Sequence, residues 1–130
     1  MSNITRTELI TAIIGGDLQK AVDLISMGEQ LETGDQSSMT PLMYAVSYAR
    51  HGLVTALLEQ GVSINQATRA GRTPLMIAAI KGCLWCAETL IQGGADIDIT
   101  NERGETALSL ARRFSHREFQ EYLFHHRPAL

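Results

Sequence analysis

The sequence predicts an all-α solenoid of four stacked helix–turn–helix units. A threonine recurs every 33 residues, a leucine follows each threonine two positions later and an alanine five positions later, without an insertion. A strict period between about 20 and 50 residues is typical of repeats that bury their apolar faces against one another. The recurring residues are Thr7, Thr40, Thr73 and Thr106; Leu9, Leu42, Leu75 and Leu108; and Ala12, Ala45, Ala78 and Ala111.

Length and composition indicate one domain over residues 1–130. The hydrophobic fraction of 45% and the charged fraction of 19% are ordinary for a folded protein, so neither disorder nor a small disulfide scaffold is indicated. The repeat phase divides the domain into units of approximately 5–37, 38–70, 71–103 and 104–130. The first and last units are expected to be caps, because they must cover the ends of the core.

Each unit begins with a first helix at its threonine. The threonine hydroxyl caps the free amide groups of a helix N-terminus, and Pro41 and Pro74, which follow in the two middle units, have a φ already suited to the first helical position. The recurring alanine is small enough to let a neighbouring helix approach closely. We therefore expect the first helices to pack inward through this face.

Each second helix ends in a pair of large apolar residues that we expect in the core. Gly28, Gly61 and Gly94 follow these pairs, where glycine adopts a left-handed conformation that ends a helix without steric cost. In the polar stretch that comes next, Gly71 and Gly104 lie two positions before a threonine, which predicts a β-turn or hairpin finger between units. The apolar pairs are Leu24 and Ile25, Leu57 and Leu58, Leu90 and Ile91, and Leu123 and Phe124.

Over residues 5–126 the chain resembles the 33-residue ankyrin repeat, whose signature is T-P-L-H-x-A. The segments that carry the resemblance most clearly are Thr40-Pro41-Leu42, Thr73-Pro74-Leu75-Met76-Ile77-Ala78-Ala79 and Gly93-Gly94-Ala95-Asp96-Ile97-Asp98.

The chain departs from the ankyrin signature at two positions. Met43 and Met76 replace the signature histidine, so we expect the hydrogen bonding of that histidine to be absent. Glu8 and Ala107 replace the proline in the first and last units, as expected of caps.

The resemblance implies that partners bind the finger tips and the first helices, which form a concave face. The residues carried over to this face include five cations and two anions, although the whole chain has a formal charge of −3. Tyr48 and Phe114 add aromatic area of a kind that often dominates binding energy. We expect a partner protein with an acidic patch around an apolar dimple. The predicted site residues are Gln36, Ser37, Met39, Ser47, Tyr48, Arg69, Ala70, Arg72, Ile80, Lys81, Glu102, Arg103, Glu105, Arg113 and Phe114.

The sequence disfavours a nucleic-acid-binding protein, a membrane protein and a secreted protein. A pI near 5.7 gives no overall basic surface for DNA or RNA, and no stretch approaches the ~18 apolar residues that span a bilayer. Residues 1–6 lack the apolar run of a signal peptide. We therefore expect a cytoplasmic protein that is monomeric alone and needs no cofactor.

Cys83-Leu84-Trp85-Cys86 is a C-x-x-C motif at the start of the third unit's second helix. A helix N-terminus lowers a thiol pKa, which favours a redox role. However, Cys86 is in phase with the apolar residues Leu53 and Phe119, which favours buried packing as free thiols in a reducing compartment. Packing is the preferred interpretation, a thiol redox protein is the alternative, and Trp85 is expected to be partly buried against the neighbouring unit.

No motif of catalysis or metal binding stands out, and we predict that the chain is not an enzyme. The two cysteines would need two more zinc ligands, and His116, His125 and His126 lack a metal-ligand spacing and are expected to be solvated. Serine-nucleophile, phosphate-loop and paired-carboxylate patterns are not found.

These observations lead to the hypothesis of a protein-binding module that acts as an inhibitor or an adaptor. Small stand-alone proteins that resemble ankyrins include enzyme inhibitors and, in bacteria, immunity proteins that neutralise a cognate toxin. Fold alone does not decide between them. Self-association through the solenoid ends is a structural alternative.

Overall fold

The computed structural model describes residues 7–28 and 30–126, which form eight α-helices in four successive pairs and contain no strand. Residues 1–6, 29 and 127–130, including the ends of the first and last predicted units, lie outside the described residues. The all-α repeat architecture is confirmed, and the predicted fingers are turns. The helices are α1 (Glu8–Gly15), α2 (Leu18–Met27), α3 (Pro41–Ser47), α4 (His51–Glu59), α5 (Pro74–Lys81), α6 (Leu84–Gln92), α7 (Ala107–Arg113) and α8 (Arg117–His125).

Threonine caps start every first helix, as predicted. The Thr40 hydroxyl accepts a hydrogen bond from the Met43 amide at 3.3 Å, and the other three threonines cap α1, α5 and α7 in the same way. Thr40 and Thr73 are buried, so no water can replace their hydroxyls at these helix ends. Each cap is expected to stabilise the fold by about 1 kcal/mol.

The methionine that replaces the signature histidine also makes a hydrogen bond. The Met43 sulfur accepts the Thr40 amide at 3.4 Å, and in the fourth unit Ser109 Oγ accepts the Thr106 amide at 2.8 Å. A side-chain hydrogen bond is therefore present at Met43, since a thioether sulfur can act as a weak acceptor.

The first helices form one layer and the second helices another. Helices α1, α3, α5 and α7 pack in sequence, and the recurring alanines are buried, which allows the close approach. Helix α2 packs against α4 and α6 against α8, whereas the backbones of α4 and α6 stay further apart and the rings of His51 and Trp85 are in contact. The partial burial predicted for Trp85 is confirmed.

The apolar pairs of the second helices lie only half in the core. Leu57, Leu90 and Leu123 are buried, but in α2 the second member of the pair, Ile25, is buried instead of the first. Phe124 is 71% exposed, so the prediction is wrong for this residue. Successive helical residues point roughly 100° apart, and therefore only one member of an adjacent pair can face the core.

In the second and fourth units, the residue before the second helix ties two neighbouring units together. The Arg50 guanidinium, before α4, donates hydrogen bonds to the carbonyls of Ile13 and Ile14 at 3.0 and 3.2 Å. The His116 ring, before α8, donates from Nε2 to the Ile80 carbonyl at 2.9 Å. His116 is therefore not the solvated group predicted, because the repeat phase places it against the end of α5.

Cys83 occupies the same position before α6 and forms a disulfide with Cys86. The prediction of free thiols is wrong, because the turn into α6 brings the two Cα atoms to 5.3 Å, within the range that a disulfide spans. The predicted burial is confirmed: Cys86 is as buried as its counterparts Leu53 and Phe119.

Candidate functional site

Three turns, at residues 35–39, 68–72 and 101–105, form the fingers. In each, the amide of the first residue donates to the carbonyl of the last, at 3.1, 2.9 and 2.9 Å. The side-chain oxygen of the first residue accepts further backbone amides inside the turn, and the fourth residue has a positive φ. The first residues are Asp35, Thr68 and Asn101, and the fourth residues are Ser38, Gly71 and Gly104.

Backbone hydrogen bonds join each finger to the next. The Arg69 amide donates to the Ser37 carbonyl and the Glu102 amide to the Ala70 carbonyl, both at 3.1 Å. Gly71 leaves room for this stacking, since a Cβ there would lie 2.9 Å from the Cα of the third finger's Asn101. The finger backbones are therefore held at fixed spacings before any partner binds.

Asp35 fixes the first finger to α3. Its carboxylate accepts hydrogen bonds from the amides of Ser37 and Met39 and from the hydroxyl of Tyr44. Burial acts to raise the pKa of Asp35, but these hydrogen bonds together outweigh it, and the pKa lies below its usual value. The charge of Asp35 is thus engaged in hydrogen bonds with the finger and α3, and the residue lines neither groove described below.

A first groove of about 490 Å³ opens between the first two fingers and the helices α3 and α5. Its lining combines an apolar floor with hydroxyl groups and three cations, and it contains no carboxylate. The lining residues are Ser37, Met39, Ser47, Thr68, Arg69, Ala70, Arg72, Ile77, Ile80 and Lys81.

The three cations of the first groove are available to a partner. Within the described part of the chain, the side chains of Arg69, Arg72 and Lys81 form no ion pair or hydrogen bond. All three residues are exposed, while the apolar residue Ile77 beneath them is buried. An uncompensated positive charge therefore stands over an apolar floor.

A second groove of about 230 Å³ lies between the last two fingers and the helices α5 and α7, and it shares Ala70, Arg72 and Ile80 with the first. Two of its five charged residues form an ion pair. Arg113 donates to Glu105 at 2.9 Å, and the guanidinium lies 5.5 Å from the centre of the Phe114 ring, which is 44% exposed.

Glu105 is held as an anion by its neighbours. The side-chain amide of Asn101 donates a hydrogen bond to the Glu105 carboxylate at 3.0 Å, and this bond lowers the pKa of Glu105 most. Arg113 and Arg103 also lower this pKa, against the effect of burial, which raises it. The second groove therefore presents a nearly neutral lining with one exposed aromatic ring.

Thirteen of the fifteen residues predicted for the concave face line one or both grooves. Gln36 and Tyr48 line neither. Tyr48 ends α3 with 43% of its surface exposed, and its ring is 5.9 Å from the Arg50 guanidinium instead. The structure thus does not bring Tyr48 together with the groove cations.

Four residues that line the grooves were not predicted: Thr68, Ile77, Asn101 and Leu110. The repeat phase carried a signal for all of them. Thr68 and Asn101 are in phase with Asp35, and Ile77 and Leu110 are in phase with Tyr44. Comparing all four units position by position would therefore have placed them.

Residues 7–28 and 30–126 contain neither a candidate membrane span nor a candidate metal site. No helix in this part of the chain is long and apolar enough to cross a membrane. No three side chains of His, Cys, Asp or Glu come together there in a group that could hold a metal ion.

The comparisons with known proteins agree with this architecture. A search of curated proteins found no match to the chain. A family model described as ankyrin repeats, in three copies, matches residues 9–101, and α7 and α8 beyond them continue the same capping and packing. Ankyrin repeats are generally protein–protein interaction modules and typically scaffolds without catalytic activity. The chain belongs to the ankyrin-repeat family.

Proposed function

We propose that this chain binds a partner protein through its two grooves and inhibits that partner by covering part of its surface. The observation that carries the proposal is the first groove, where three cations surround an apolar floor without a carboxylate. Such a lining is complementary to an acidic patch around an apolar side chain, because the cations gain counter-charges and the floor loses contact with water.

The rigidity of the fingers supports binding by a preformed surface. Finger-to-finger hydrogen bonds and the Asp35 contacts hold the lining residues in place before the partner arrives. Little backbone entropy would then be lost on association, which favours affinity, whereas the exposed side chains of the three cations would still have to be ordered.

The test is capture of a partner by the wild-type chain, followed by titration with two triple variants. Arg69→Ala, Arg72→Ala and Lys81→Ala remove the cations of the first groove. Lys20→Ala, Arg112→Ala and Arg117→Ala remove the same charge from exposed residues that line neither groove.

We expect the groove variant to lose the captured partner and the control variant to retain it, with unchanged helical circular dichroism in both. Equal retention by the two variants would assign binding to another surface. Adding the chain to the purified partner then separates the two roles: an inhibitor lowers the partner's activity, whereas an adaptor leaves it unchanged.

A second candidate, thiol–disulfide exchange, is favoured by the arrangement of Cys83 and Cys86. Cys83 is partly exposed at the start of α6 and Cys86 is buried, so only the first sulfur is accessible to an attacking thiol. Catalysis of insulin reduction that disappears in Cys83→Ser would support this candidate, and no catalysis by the wild type would exclude it.

A further inference from the structure

The two grooves differ in charge although they form one continuous depression. They meet at Ala70, Arg72 and Ile80, which line both. The first groove has three cations and no anion in its lining, whereas the second has its Arg113 paired with Glu105 and contains Glu102 beside Arg103. Because the second lining sets two anions, Glu102 and Glu105, against its three cations, a partner lying along both grooves would meet the larger surplus of positive charge over the first groove.

The second groove offers an aromatic contact where the first offers charge. Phe114 is exposed at its edge, and the Arg113 guanidinium faces the ring. Arg113 is already paired with Glu105, so a carboxylate placed there would be attracted by Arg72 and Arg103 but repelled by Glu102 and Glu105. An uncharged apolar or aromatic side chain suits this groove better.

The spacing of the units sets the length of the segment that fits. Packed helices lie roughly 8–10 Å apart, and an extended peptide advances about 3.3 Å per residue. One unit therefore corresponds to about three residues, and the two grooves, each spanning one unit boundary, to about six.

From these observations, and resting on the proposed function, we infer that the partner presents an extended segment of about six residues. The half of it over the first groove carries carboxylates around an aliphatic side chain, and the half over the second groove is uncharged and contains an aromatic or aliphatic residue. The segment thus has a fixed polarity along the solenoid, with its charge directed toward α3.

The experiment is selection of peptides from a random phage-displayed library on three forms of the chain. The forms are the wild type, the triple variant Arg69→Ser, Arg72→Ser and Lys81→Ser, and the variant Phe114→Ser. Circular dichroism establishes that each form is folded before selection. The peptide most enriched on the wild type is then synthesised and titrated against all three.

We expect the wild type to enrich peptides with a cluster of Asp and Glu next to an uncharged apolar part. The triple variant should lose the acidic enrichment and keep the apolar one, and Phe114→Ser should do the reverse. Affinity of the synthetic peptide should fall about tenfold in the triple variant, as expected for three exposed ion pairs, and this difference should shrink at high salt.

Three results would overturn the inference. They are wild-type peptides without acidic enrichment, acidic enrichment that survives in the triple variant, and displacement of the peptide by a short oligothymidylate at equal concentration. If neutral peptides are selected and Ile80→Glu abolishes their binding, the charge inference fails while groove binding stands. Peptides insensitive to all of these substitutions would refute the proposed function itself.

Discussion

At the scale of single residues, Asp35 links the shape of the first finger to pH. Its carboxylate accepts hydrogen bonds from Ser37, Met39 and Tyr44, and its pKa lies below the usual value. A carboxyl group whose pKa is lower in the folded than in the unfolded state adds stability above its unfolded pKa, and this stability is lost as the pH falls through the folded pKa.

We predict that Asp35→Asn lowers the free energy of unfolding at pH 7 by about 1 kcal/mol. In the wild type this stability should disappear as the pH falls below the ordinary aspartate pKa of about 4. The free energies of unfolding of the two proteins should therefore become equal in acid. Urea unfolding between neutral and acidic pH measures the difference. Asp23→Asn is the control, since the Asp23 carboxylate accepts an exposed hydrogen bond from Gln19. If the free energies of unfolding of wild type and Asp35→Asn differ by the same amount at every pH, the role of Asp35 is contradicted.

Arg50 is a second residue whose contacts reach another unit. We predict that Arg50→Met lowers the free energy of unfolding by about 1–3 kcal/mol, because two hydrogen bonds from a charged group to Ile13 and Ile14 are lost. Arg112→Met, at an exposed position of α7, should change stability by less than about 0.5 kcal/mol. Equal losses in the two variants would show that the contacts of Arg50 contribute nothing beyond its charge.

At the scale of elements, the fingers depend on how closely their backbones approach. Gly71 and Gly104 have nearly the same positive φ, 83° and 78°. A Cβ at Gly71 would meet the backbone of Asn101 and Glu102, whereas a Cβ at Gly104 would meet open space. The two positions therefore separate the cost of the backbone angle from the cost of finger stacking.

We predict that Gly104→Ala costs about 1–2 kcal/mol from the left-handed backbone alone and that Gly71→Ala costs about 1–3 kcal/mol more from overpacking. Gly71→Ala should also weaken partner binding, since the second and third fingers must move apart and the bond from Glu102 to Ala70 is lost. Thermal unfolding and partner titration of both variants give the comparison. Identical behaviour of the two alanine variants would mean that stacking does not hold the fingers.

The elements were predictable from the sequence and the contacts between them were less so. The period located every first helix because threonine caps and small buried residues are local requirements, as Thr40 and Ala45 illustrate. By contrast, Tyr48 was misplaced because the direction of a side chain at a helix end depends on neighbouring units. Phe124 was misplaced because it and the adjacent Leu123 cannot both face the core. The bond from His116 to Ile80 joins residues 36 apart, and no local pattern reveals it.

At the scale of the whole molecule, stability is distributed along the stack. Among the described residues, the main helix contacts lie within a unit or between neighbouring units, so the free energy of unfolding is approximately a sum of unit and interface contributions. Leu53 and Phe119 occupy the same buried position in the second and the fourth unit. They allow one kind of substitution to be compared inside the stack and at its end.

We predict that Phe119→Ala, which removes about 3–5 kcal/mol of packing, raises amide hydrogen exchange in α7 and α8 while α3 to α5 stay protected. Leu53→Ala should raise exchange throughout, because its unit contacts neighbours on both sides. Hydrogen exchange with mass spectrometry distinguishes the two patterns, and uniform exchange in Phe119→Ala would indicate all-or-none unfolding.

The bonds between fingers have a direction, and this makes the chain extensible. The second and third fingers each donate an amide toward the preceding finger, from Arg69 to Ser37 and from Glu102 to Ala70. Arg103 is in phase with Ser37 and Ala70, so its carbonyl is positioned to accept the next donor. A duplicate of residues 71–103 inserted after Arg103 would continue the ladder in register. Each added unit of 33 residues would thus lengthen the binding surface by one finger, and a longer chain could bind a longer partner segment.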